Sequence, residues 1–346
     1  ATAATGTIAL NVTAVNDAPV LTPAAPVLAG LTEDATNDAG QTVASFRGAN
    51  TDVDTGALSG IVIVDQTPGN GHWEYKIGSG SWTAFGTVSA SSAIALADAD
   101  SIRFVPNGEN ATTASFTYRA WDGSGATAGS GVDASTTGNA SHFSSASDEA
   151  SITVTAVNDA PVLASALPTL TPLTEDDTSN AGQTVASFIG STISDVDAGA
   201  VQGIAISATA NGNGSWQYST DGGSTWNTVT GLTGSNGLLL NSTDKIRFVP
   251  NAENPTNAHL TYRAWDRTSG TAGTLTSLAT TGGASPFSSA TNVVSITVDA
   301  VNDAPINDVA PSYSGDFRGD GTLRQDGTVT ANPRSEERRV GKERLR

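Results

Sequence analysis

One phrase, "TAVNDAPV", occupies Thr13 to Val20 and returns letter for letter at Thr155 to Val162; a close copy, "DAVNDAPI", ends at Ile306. A recurrence about 142 positions apart points to repeated modules of one domain's length, with the phrase at each boundary. The stretches between the phrases bear this out. "LTEDATNDAGQTVASF" from Leu31 returns as "LTEDDTSNAGQTVASF" from Leu173, and "TDVDTGA" at Thr51 as "SDVDAGA" at Ser194. "GNGHWEY" at Gly69 matches "GNGSWQY" at Gly212, "IRFVPNGEN" at Ile102 matches "IRFVPNAEN" at Ile246, and "FTYRAWD" at Phe116 matches "LTYRAWD" at Leu260. The offset moves only from 142 (173 less 31) to 144 (246 less 102).

Residues 20–161 therefore read as one repeat and 162–305 as a second. Residues 1–19 read as the end of a preceding copy, since "GTIALNVTAVNDAP" echoes "ASITVTAVNDAP". With no methionine, the sequence reads as a piece of a longer protein. Residues 306–333 do not restart the module. Residues 334–346 break with everything before them, holding six of the sixteen basic residues and three acids. Arg334 to Glu343 resemble one translated frame of a sequencing adapter, so this tail is set aside from fold reasoning.

Within each repeat, "IVIV", "IRFV", "FTYRAW" and "SITVTAV" are β-branched or alternating runs of strand length, punctuated by Gly-Asn-Gly, Asp-Gly and Pro-Asn. In "FTYRAW", Phe116, Tyr118 and Ala120 share one face, and Thr117, Arg119 and Trp121 the other. Seven or eight such strands per module, without a helical period, predict an all-β fold of tandem immunoglobulin-like β-sandwiches arranged end to end. All six tryptophans fall into aligned pairs, Trp73/Trp216, Trp82/Trp226 and Trp121/Trp265, which predicts core packing rather than a sugar-stacking platform.

Charge narrows the function. The net charge is −18, from 16 basic and 34 acidic residues, and without the tail it is −21 (10 less 31). Such a chain repels nucleic acid and anionic membrane surfaces. It has no cysteine, so its stability rests on its cores and on any bound ions, and no 18-residue apolar span is present.

The three histidines do not recur: His72 aligns with Ser215, His142 with Pro286 and His259 with Ser115. A repeated catalytic or zinc device is thereby disfavoured, and no enzyme is expected. "STDGGSTW" from Ser219 resembles the Asp-box of sialidase-like propellers, but it occurs once and reads better as a hairpin turn at Asp221-Gly222.

The carboxylates do recur, at Glu33/Glu175, Asp52/Asp195, Asp54/Asp197 and Asp122/Asp266. In an extended Asp-Val-Asp, the two acids point the same way, and a compensating cation would keep both ionised. Calcium accepts several such oxygens in a loose shell.

The ordered set of a Glu, DxD, AxD and xNDxP resembles cadherin repeats. The wording "FVPN…FTYRAWDG…SITVTAVNDAP" is similar to the bacterial cadherin-like tandem repeats of VCBS- and RTX-type giant adhesins. The resemblance covers nearly all of residues 1–305. It implies Ca2+ at module junctions, bound by Glu33 of one module, Asn158 and Asp159 of the linker, and Asp195, Asp197 and Asp266 of the next. At the first junction it implies Asp17 with Asp52, Asp54 and Asp122, and at the last boundary Glu175 with Asp303. Ala156 and Ala160 stand where cadherins carry acids or amides, so one or two ions per junction are expected, at an affinity of about 0.1–1 mM.

The function implied is a calcium-stiffened spacer or stalk of a secreted or cell-surface bacterial adhesin, its partners glycans or proteins of a cell surface or matrix. Two other readings stay open: a carbohydrate-binding module, and an accessory region of a secreted hydrolase.

Overall fold

The structure is a computed structural model that describes residue 6 and residues 8–304. The expectations for residues 306–333 and 334–346 lie outside the described residues. The chain divides into two compact units: residues up to Asn158 with Val196–Ala198, and Asp159–Asp195 with the residues from Gly199 onward. Both are built from strands, and the all-β sandwich expected from the repeats is what the structure contains.

In the first unit a six-stranded sheet runs in the order Gly131–Val132, Ala93–Ala97, Gly60–Thr67, Thr112–Trp121, Asp148–Thr155, Leu31–Thr32. Its partner layer has four strands, Gln41–Thr42, Ser101–Pro106, Gly71–Lys76 and Thr83–Ala84. A further pair, Val20–Thr22 with Ala49–Thr51, lies antiparallel. Alternation explains the layering. Along Thr112–Trp121, Ala114, Phe116, Tyr118 and Ala120 are buried while Thr113, Ser115, Thr117 and Arg119 are half-buried or exposed. They pack with Ile61, Ile63, Leu96, Ile102, Phe104 and Trp73 from both sheets in one core. Trp73 lies edge-on to Phe104 and Phe116, with ring centroids 5.0 and 4.9 Å away. Trp121 points to the opposite face and forms a second cluster with Val62, Ala93, Ala95, Ala134 and Phe143.

The second unit repeats this plan. Its six-stranded sheet runs Leu173–Thr174, Asn292–Asp299, Thr256–Trp265, Gly203–Ala210, Asn236–Asn241, Leu275–Ser277, and its four-stranded sheet Gln183–Thr184, Lys245–Pro250, Gly214–Ser219, Asn227–Thr228. Trp216, Phe248, Leu260 and Tyr262 occupy its core, and Trp265 packs on Phe287, Ala205 and Leu239 behind the sheet. Gly203 makes that second cluster possible. A Cβ there would stand 2.7 Å from both the Leu240 carbonyl and the Trp265 ring.

Two details depart from the sequence-based expectation. "VASF" in each copy forms a single helical turn, Val43–Phe46 and Val185–Ile189, which buries Val43 and Phe46, and Val185, Phe188 and Ile189. A four- or five-residue turn is too short to leave a helical period. The tryptophans also divide. Trp73, Trp121, Trp216 and Trp265 are buried, but Trp82 and Trp226 are only half-buried. Each of these two lies under a guanidinium, Arg103 at 4.4 Å and Arg247 at 4.1 Å from the ring centroid. Core packing is thus the wrong role for that pair; they are surface staples held by cation–π contact.

Candidate metal site

Each repeated glutamate is placed by a short parallel strand. Leu31–Thr32 runs parallel to the end of Asp148–Thr155, with Leu31 opposite Val154 and Thr32 opposite Thr155. Glu33 extends that ladder by donating its N–H to the Thr155 carbonyl at 3.0 Å. Its carboxylate then reaches the outgoing chain, where Oε1 accepts the Val157 N–H at 2.7 Å. Glu33 is 2% exposed, and its Oε2 is buried without a hydrogen-bond partner.

The second unit arranges Glu175 identically. Leu173–Thr174 runs parallel to Asn292–Asp299, Glu175 donates to the Asp299 carbonyl at 3.0 Å, and its Oε1 accepts the Val301 N–H at 2.9 Å. Glu175 is 0% exposed, and its Oε2 too is buried without a hydrogen-bond partner. A buried acceptor left unmatched costs about 1–3 kcal/mol, and more when it is charged. The same atom in the same state in both copies fits a position meant for a cation.

The aspartates gather at the incoming end of the first module. The Asn16 side-chain amide donates to Asp122 Oδ2 and to the Ser141 carbonyl, each at 3.0 Å. The Asp17 N–H donates to Asp54 Oδ2 at 2.8 Å, and the Asp54 N–H to Asp52 Oδ1 at 2.9 Å. Asp52 Oδ2 is buried without a hydrogen-bond partner. Asp17 therefore meets the cluster through its backbone, and the residue whose side chain enters is Asn16, which carries no charge to mark it in the sequence. Asp122 is buried and also accepts the N–H and Oγ of Ser124, both at 2.7 Å. Asp266, buried likewise, accepts the N–H and hydroxyl of Thr268 at 2.8 and 2.7 Å.

Asn158, Asp159, Asp195 and Asp197 are half-buried, and Asp303 is exposed. Within the first unit, one carboxylate oxygen of Glu33 and one of Asp197 lie within 4.8 Å of each other. The donors of this pair are all oxygens, which suits a hard cation such as calcium better than zinc or copper.

A Ser/His/Asp grouping is present that the sequence did not announce. Ser124 Oγ lies 2.7 Å from His142 Nδ1 and donates to Asp122 Oδ1 at 2.7 Å. The order is unlike a nucleophile relay. There the imidazole stands between hydroxyl and carboxylate and uses both ring nitrogens. Here the hydroxyl stands between imidazole and carboxylate, and Nδ1 alone faces both, 3.5 Å from Asp122 Oδ2.

"STDGGSTW" is a hairpin turn between Gly214–Ser219 and Asn227–Thr228. Asp221 accepts the Thr225 hydroxyl at 2.6 Å, the Thr225 N–H at 2.9 Å and the Ser219 hydroxyl at 2.7 Å. Those bonds hold its carboxyl well below the usual carboxylate range.

Among the described residues, no helix is long and apolar enough to cross a membrane. No family model matches the chain, and no curated protein matches it. Among solved structures it is similar to the CupB6 tip adhesin from Pseudomonas aeruginosa, at 8% identity and a TM-score of 0.24, over 83% of this chain and 99% of that one. A likeness at that score carries no functional weight.

Proposed function

We propose that the chain is a run of cadherin-like modules serving as a calcium-stiffened spacer in a secreted or cell-surface bacterial adhesin, with no catalytic role of its own. The observation that carries this reading is the pair of buried glutamates. Each spends one carboxylate oxygen on the N–H of the outgoing linker and keeps the other buried without a hydrogen-bond partner. A divalent cation at Glu33 would draw on Asp197 and Asn158 of the same unit. Because such ligands come from segments far apart in sequence, binding would stiffen the chain where the linker leaves the module. At calcium 10 to 100 times the dissociation constant, each site would add about 1.4–2.7 kcal/mol.

The test is thermal melting and small-angle scattering of the full chain in chelator and in millimolar calcium. A higher melting temperature and a narrower distribution of dimensions with calcium are expected. Identical curves in both conditions would overturn the reading.

A carbohydrate-binding role has one observation in its favour, the half-buried Trp82 and Trp226 at matching places in the two copies. A glycan array with no binding, or with binding that survives Trp82→Ala and Trp226→Ala together, disposes of it.

A further inference from the structure

Asn110 closes the loop "PNGEN", which is tightly built. Asn107 Oδ1 accepts the Glu109 N–H at 3.2 Å, the Asn107 N–H donates to the Asn70 carbonyl at 3.0 Å, and Asn70 Nδ2 donates to the Ala111 carbonyl at 3.0 Å. From this base the Asn110 side chain makes two bonds to Val196–Ala198, a segment of the same unit. Its Nδ2 donates to the Val196 carbonyl at 3.0 Å, and its Oδ1 accepts the Ala198 N–H at 2.9 Å.

Those two backbone groups belong to the peptide planes on either side of Asp197. Holding both fixes the φ and ψ of Asp197, and with them the direction in which its carboxylate leaves the chain. A carboxamide presents a donor and an acceptor side by side, as a strand edge does, whereas an ionised Asp can only accept and Ala can do neither. The carboxylate so directed lies within 4.8 Å of Glu33, whose buried Oε2 has no hydrogen-bond partner.

We propose that Asn110 is a positioning residue for cation binding at Glu33 and Asp197, clamping the backbone around Asp197 so that the two carboxylates are set before the ion arrives. This rests on the proposed role of Glu33 as a cation ligand. Outer residues that orient metal ligands commonly govern affinity by tenfold or more. The second copy carries the same loop, with Asn251 Oδ1 accepting the Glu253 N–H at 3.2 Å and Asn213 Nδ2 donating to the Pro255 carbonyl at 3.0 Å. Asn254 there is the matched control.

The experiment compares the full chain, Asn110→Ala and Asn254→Ala by amide hydrogen exchange in chelator and by calorimetric calcium titration. In Asn110→Ala, the Ala198 N–H is expected to exchange about tenfold faster without calcium, and calcium affinity is expected to fall about tenfold. Asn254→Ala should leave both as in the parent, and an unchanged melting temperature shows that the first core is intact. Equal Ala198 exchange in parent and Asn110→Ala overturns the clamp. Faster exchange with unchanged calcium affinity overturns the positioning role while leaving the site standing. A parent chain that takes up no calcium overturns the cation reading itself and the positioning role with it.

Discussion

Tyr118 donates its hydroxyl to the buried carboxylate of Asp148 at 3.0 Å, and that carboxylate also takes the N–H groups of Ala24 and Ala25, at 2.8 and 3.0 Å. One side chain thus ties the first strand's exit to the centre of the six-stranded sheet. In the second copy Asn292 holds the corresponding exit without charge, accepting from the Ala166 N–H at 3.2 Å and donating to the Ala164 carbonyl at 2.9 Å.

This difference gives the first copy, at this position, an acid-sensitive tie that the second copy lacks. Burial pushes the Asp148 carboxyl up, but the bonds from Ala24, Ala25, Glu149 and Tyr118 outweigh it and leave the carboxyl below its ordinary value. A depressed carboxyl stabilises the fold fully above its unfolded value near 3.8 and loses that contribution as pH falls through the folded value. Asp148→Asn should cost about 1–2 kcal/mol at neutral pH and should flatten the loss of stability below pH 4. Denaturant midpoints from pH 3 to 7 check both.

Glu33→Gln keeps the acceptor for the Val157 N–H and removes the buried charge. In chelator its melting temperature should equal or exceed that of the parent, because an unmatched ionised oxygen is gone. In millimolar calcium it should fail to gain what the parent gains. Differential scanning calorimetry in the two buffers reads the crossover, and a calcium gain equal to the parent's would remove Glu33 from the site.

Gly203→Ala should destabilise the second unit by about 1–3 kcal/mol. The added methyl has backbone on one side and the rigid Trp265 ring on the other, so neither neighbour can yield cheaply. Thermal unfolding followed by tryptophan fluorescence measures it.

Ala252 has φ of 60°, where the first copy has Gly108 at 78°. The left-handed region costs an L-residue roughly 1–2 kcal/mol, partly offset by glycine's extra freedom when unfolded. Ala252→Gly should therefore raise stability by up to about 1 kcal/mol, read as a shifted urea midpoint.

The repeat made the fold legible because residues kept in both copies are mostly those that pack. "FTYRAW" assigned its own faces, and Phe116, Tyr118 and Ala120 took the core side while Trp121 filled a separate cluster. Trp82 and Trp226 do not follow this pattern, since a surface staple repeated in both copies leaves the same trace as a core residue. For the candidate site, residue types that bear charge were legible and those that orient them were not. Asn110 carries no charge to mark it, and its partners Val196 and Ala198 lie 86 and 88 positions away. Ile8, Leu10 and Val12 show the limit from the other side. They align with Ala150, Ile152 and Val154, which are buried, yet here they are exposed, because burial belongs to the sheet and not to the strand.

The parallel pairing beside each glutamate also decides how the module answers a pull. Bonds run in series from Pro26 to Glu33 against Ser151 to Val157, including Ser151 to Pro26 at 3.0 Å, Leu28 to Ser151 at 2.8 Å and Glu33 to Thr155 at 3.0 Å. Tension along the polypeptide draws the early segment by its start and the late segment by its end, in opposite directions. Parallel neighbours loaded that way slide past each other, so the bonds bear the force together rather than opening one after another. Single-molecule stretching should show each module resisting as a unit and then yielding abruptly, with a lower peak in Glu33→Gln, where the last bond of the row loses its charge.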